Sequence, residues 1–121
     1  MESSDIERAL RAAIATEISC CGEGHVEVAY RLHDLAKYLA SQGRVAEAEP
    51  LMNQAVFVIA MSTLKAGLSA PSAAAAPIFE GYEILLKILG MGRNQRKARL
   101  QDATDRAKSA VKTDMRPCFV S

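Results

Sequence analysis

Between Ser41 and Pro50 the chain reads SQGRVAEAEP, and this stretch constrains the fold more than any other. Before it, Val28, Leu32, Leu35 and Leu39 recur three and four residues apart, with Ala29, Ala36 and Ala40 beside them. After it, Val45, Ala48, Met52, Ala55 and Ile59 repeat the same spacing. Both runs are amphipathic helices by period, and a turn this short between them forces an antiparallel hairpin. Gly43 supplies the left-handed residue that ends the first helix and reverses the chain. Ala48 and Ala55 fall where the two helices cross, and small side chains there let the backbones approach. Pro50 removes a helical hydrogen bond and crowds the preceding turn, so it is tolerable only near a helix start.

The rest of the chain extends this pattern. With three Phe, three Tyr and no Trp in 121 residues, the core must be made of Ala, Leu, Ile, Val and Met, which favours an all-α fold in one domain. A lone N-terminal helix is predicted over residues 1–20, with a Ser4/Glu7 capping box ahead of Ile6, Leu10, Ile14 and Ile18. The hairpin unit spans 22–61, and the Gly- and Pro-containing stretch 66–77 reads as a connector. A second unit, 78–112, begins with Phe79, Tyr82, Leu85, Leu86 and Leu89, while Ile84 and Ile88 fill the other side. A helix so widely apolar is expected to be covered on both sides. A fifth helix carries Leu100, Ala103, Ala107 and Val111, and residues 113–121 form a tail. SQGRVAEAE and GMGRNQRKA each close one helix and open another, with their Gly-Arg pairs 49 residues apart, so the five helices are expected to stack as repeated hairpins.

Charge is unevenly divided. From Arg93 to Arg116 there are eight Lys/Arg and three Asp, a net +5, which leaves −4 for everything before. Three cysteines, two of them adjacent, do not form a secreted disulfide framework. The N-terminus lacks an apolar signal region and the longest apolar run is too short to span a bilayer, so the expectation is a soluble, unprocessed cytoplasmic chain.

Residues 22–56, GEGHVEVAYRLHDLAKYLASQGRVAEAEPLMNQAV, resemble a tetratricopeptide repeat (TPR) of the kinesin light chain type. The resemblance rests on Gly22 and His25 at the entry, then Ala29, Leu32, Leu35 and Ala36, the Gly43-Arg44 turn, Ala46 to Leu51, and Ala55. A proline at the position of Pro50 is common in that family, and residues 6–14 are similar to the second helix of a preceding repeat. The second unit has no His at its entry and, in the Gly-Arg register, places Gly81 where the pattern has leucine. The resemblance implies a short right-handed superhelix, and the lack of catalytic or metal motifs in the sequence leads to the expectation that it acts without catalysis, metal or cofactor. Such a scaffold holds a partner peptide or protein in the groove formed by the first helices of its hairpins. The groove positions would be Tyr30, His33, Asp34, Lys37 and Ser41; the structural repeat positions would be Leu32, Leu35, Ala36, Gly43, Ala48 and Ala55. Paired asparagines are common in the family where this chain has His33 and Asp34, so a ligand with basic or donor groups is expected. The alternative is that these are ordinary solvated helix residues.

Other chemistry finds less support. Cys20, Cys21, His25 and His33 lack the Cys-x-x-Cys spacing of zinc sites, and His25 is better read as a helix cap. No catalytic triad, phosphate loop or carboxylate pair stands out. The run RNQRKAR could dock on nucleic acid, yet it has no interleaved aromatic and Asp102 and Asp105 follow it. The C-terminal CFVS fits a prenylation box at Cys118, which would direct the chain to a membrane. A homodimer through the N-terminal helix is also expected, because a repeat stack that begins with a lone helix leaves an apolar rim.

Overall fold

The computed structural model describes residues 2–22, 25–68 and 73–114 and is all-α. Its helices are α1 (Glu2–Cys21), α2 (Val26–Ser41), α3 (Val45–Lys65), α4 (Ala76–Ile88) and α5 (Arg93–Asp114), with a 3₁₀ turn at Ala73–Ala75 leading into α4. α3 is the centre of the molecule: α2, α4 and α5 all pack on it, and α1 packs on α2. Val28, Leu32, Leu35 and Leu39 of α2 meet Met52, Ala55, Val56 and Ile59 of α3 and Ile78, Tyr82, Leu85 and Leu86 of α4 in one buried cluster.

The local devices are those the sequence calls for, with several shifts. His25 caps α2, its Nδ1 accepting from the Glu27 N–H at 3.1 Å. Gly43, at φ +79°, ends α2 in a Schellman turn: its N–H donates to the Ala40 carbonyl and the Arg44 N–H to that of Leu39. Ala48 and Ala55 are fully buried. Pro50 lies in the second turn of α3 on its exposed side. α3 runs on to Lys65, past the expected hairpin boundary at 61, and α4 starts at Ala76 with Pro77 in its first turn. α1 already contains Glu2, so Ser4 lies within the helix instead of ahead of it. Glu7 therefore does not close a capping box there; it pairs with Arg11 at 3.0 Å and reaches across to Arg44.

The internal repeat is present in a different register from the one the Gly-Arg pairs indicate. The glycine that matches Gly43 is Gly90, at φ +85°, whose N–H donates to Lys87 while Met91 donates to Leu86. The first helices are thus 47 residues apart, which pairs Leu35 with Tyr82 and Leu39 with Leu86, all fully buried. In this register Phe79 stands in for Leu32, and the position of Gly81 requires no leucine. One residue is inserted in the second turn. The Ala48 N–H opens α3 by donating to Arg44, and the Arg96 N–H opens α5 by donating to Gly92, an offset of 48. That offset pairs Ala55 with Ala103, both fully buried.

Candidate groove between the first helices

Among the described residues, α4 is not covered on both sides. Ile78, Tyr82, Leu85 and Leu86 are buried, but Ile84 and Ile88 are 58% and 62% exposed. The periodicity shows that α4 is apolar on two faces; it cannot show that only one of them meets the other described helices. In the 47-residue register, Ile84 and Ile88 occupy the places that Lys37 and Ser41 hold in α2.

Between α2 and α4 lies an open groove of about 400 Å³. One wall is His33, Ala36, Lys37 and Ala40; the other is Pro77, Glu80, Ile84 and Ile88, with Met52, Gly81 and Leu85 at the base. Gly81 explains how the walls come together. A Cβ there would stand 2.7 Å from the Met52 methyl and 3.2 Å from His33 Nε2, closer than ordinary contact. Glycine inside a helix costs about 1 kcal/mol relative to alanine, and here it makes room for the imidazole. Burial holds the His33 pKa below the ordinary histidine value; Lys37 adds to the depression and Asp34 opposes it.

Of the groove residues expected from the sequence, His33 and Lys37 line the groove, while Tyr30, Asp34 and Ser41 are not among its lining residues. Tyr30 is half-buried against the core, Asp34 is exposed, and the Ser41 hydroxyl donates to the Tyr38 carbonyl at 2.6 Å. A groove between the first helices of the hairpins is the expected place, but the α4 residues that line it are not singled out by the sequence. Gly81 inside an apolar helix was their one visible trace.

The opposite side of the molecule is polar and locked. The buried Tyr82 hydroxyl donates to Glu49 at 2.5 Å and accepts from Asn53 at 2.8 Å. Desolvation, then the bond to Glu49, raises its pKa. Arg106 donates to Asn53 and lies 5.4 Å from the Phe57 ring centroid, and Arg99 approaches Glu49 at 3.8 Å. Arg96 donates to the Met91 carbonyl. Two of the cations of α5, Arg99 and Arg106, thus reach α3, while Arg96 braces the turn that leads into α5. At the other end, Arg44 links α1 to the hairpin through Glu7 and Glu47. Hydrogen bonding from its guanidinium lowers the pKa of both carboxyls, and a hydrogen bond from Arg11 lowers that of Glu7 further.

Cys20 is exposed and carries a free thiol; the Cys21 side chain, Cys118 and the rest of the segment 115–121 lie outside the described residues. Among the described residues, no cluster of three or more His, Cys, Asp or Glu could hold a metal, and no helix is long and apolar enough to cross a membrane. Against known protein families, curated proteins and solved structures, the chain has no match.

Proposed function

We propose that this chain is a non-enzymatic, TPR-like interaction scaffold that binds a segment of another protein in the α2–α4 groove. The observation that carries the reading is the pair of exposed isoleucines, Ile84 and Ile88, one turn apart on the wall of an open concave groove. Exposed aliphatic side chains that line a concavity mark a binding site more often than isolated ones do. The repeated hairpins and the Gly43 and Gly90 turns support the TPR-like reading. A reducing cytoplasm suits the exposed thiol of Cys20. Docking on nucleic acid is the weaker alternative, because Arg96, Arg99 and Arg106 already have partners within the chain.

The test is selection of peptides from a displayed library on the immobilised chain, followed by affinity measurement on variants. Ile84→Asp with Ile88→Asp is expected to weaken the selected peptides by more than about tenfold with unchanged circular dichroism, since both side chains are exposed. His33→Ala is expected to weaken them too, whereas Asp34→Ala leaves affinity within about twofold, as an exposed residue outside the groove. Equal binding by the double variant and wild type would move the site elsewhere.

A further inference from the structure

We infer that the groove takes an amphipathic α-helix, with an acidic residue on its flank facing α2 and a basic residue on its flank facing α4. This rests on the binding role proposed above. The lining residues all belong to helices, so nearly all of their main-chain groups are engaged within those helices. The groove therefore has no free backbone edge. Its polar side chains are His33, Lys37 and Glu80.

An extended peptide of five residues would bring about ten main-chain donors and acceptors into this apolar trough. Three side chains cannot satisfy them, and burying unpaired amides is costly. A helix satisfies its own backbone and presents only side chains. The α4 wall from Pro77 to Ile88 is about 16 Å long at the helical rise, room for about three turns of such a partner. Ala36 and Ala40 leave space on the α2 wall for larger apolar side chains, which would meet Ile84 and Ile88 across the groove.

The two lips carry opposite charges. Lys37 stands on α2 and Glu80 on α4, and neither forms an ion pair with a described residue. Asp34 and Lys87 are exposed on neighbouring helix surfaces but outside the groove. Opposite lips make the site polar across its width, so a helix with oppositely charged flanks fits in one orientation and meets like charges in the reverse one.

The experiment uses the full chain and a displayed library containing both helix-compatible and proline-rich peptides. The expected winners carry apolar residues at i, i+3, i+4 and i+7 with an acid on one flank and a base on the other, and gain helical circular dichroism on binding. Lys37→Glu with Glu80→Lys is expected to weaken a winner by about tenfold in low salt, and a peptide with its flank charges exchanged recovers the loss. Extended or proline-containing winners would overturn the helix. Charge reversal without effect, or without rescue by the exchanged peptide, would overturn the orientation, and in both cases the groove would still bind peptides. Failure of the binding role itself looks different: no peptide is selected, or binding ignores Ile84→Asp with Ile88→Asp.

Discussion

The two hairpins share a plan and differ at one crossing. In the first, α2 and α3 lie closely packed along their length; in the second, α4 and α5 barely touch, and α5 lies on α3 instead. The residue at the start of each second helix differs in the same sense. Ala48 is small and fully buried, whereas its counterpart Arg96 is half-buried with its Nε enclosed and without a partner among the described residues. A methyl group lets two backbones approach; a guanidinium keeps them apart. The splay also bears on the groove, because α4 is held mainly by α3 on one side and leaves Ile84 and Ile88 exposed on another.

The largest expected effect comes from breaking this contrast. Ala48→Leu overfills the first crossing and is expected to destabilise the fold by about 1 to 3 kcal/mol, measured by denaturant unfolding. Arg96→Ala in the second hairpin removes one hydrogen bond and one unsatisfied buried nitrogen together, so a change within about 1 kcal/mol is expected. Equal losses at the two sites would show that the crossing residue does not set the splay.

Tyr82 is the second point of difference. Its counterpart Leu35 is purely apolar, while Tyr82 carries a hydroxyl that ties α4 to Glu49 and Asn53 of α3 and, through Asn53, to Arg106 of α5. Tyr82→Phe is expected to cost about 1 to 2 kcal/mol, since it removes a bond to a carboxylate that is itself largely shielded. Amide exchange in α5 should accelerate more than in α2. Uniform acceleration would mean that the network does not selectively hold α5.

These two features also mark what could be read from the sequence. The helices, the Gly43 turn, the His25 cap and the buried alanines follow from local period and local chemistry. The register of the second hairpin did not, because Gly90 and Gly92 both lie near the turn and only the backbone shows which is left-handed. The groove was half visible. His33 and Lys37 lie on the α2 stripe, but Ile84 and Ile88 look like core residues until it is known that no described part of the chain buries them. Contacts such as Glu7 with Arg44, 37 residues apart, depend on packing that no local pattern specifies.

A smaller effect is expected from pH. His33 sits where α2 meets Gly81, and its depressed pKa means that the fold favours the neutral ring. The unfolded chain binds a proton more readily, so the stability from this residue is full above the ordinary value of 6.5 and falls as pH drops through the folded value. Glu7 and Glu47, held below 4.5 by Arg44, lose their contribution only in more acid solution. Lowering pH from about 7 to 5 should therefore reduce the unfolding midpoint in wild type and much less in His33→Gln. A parallel decline in both would assign the effect to other groups.

The smallest expected effect concerns self-association, and it sets two of the exposed apolar surfaces against each other. α1 places Leu10, Ile14 and Ile18 on the core and leaves Ile6 47% exposed at its beginning. A dimer through α1 would rest largely on that side chain. Burying one isoleucine gains about 1.5 to 3 kcal/mol, while association costs at least about 4 kcal/mol in lost freedom. The contact is thus expected to be weak, with light scattering at high micromolar concentration giving a mass only slightly above the monomer. Ile6→Glu should remove that small rise, and Ile84→Asp with Ile88→Asp should leave it unchanged. The reverse pattern would show that copies of the chain meet through the groove. A full dimer abolished by Ile6→Glu would show that α1 carries a larger interface than its one exposed isoleucine provides.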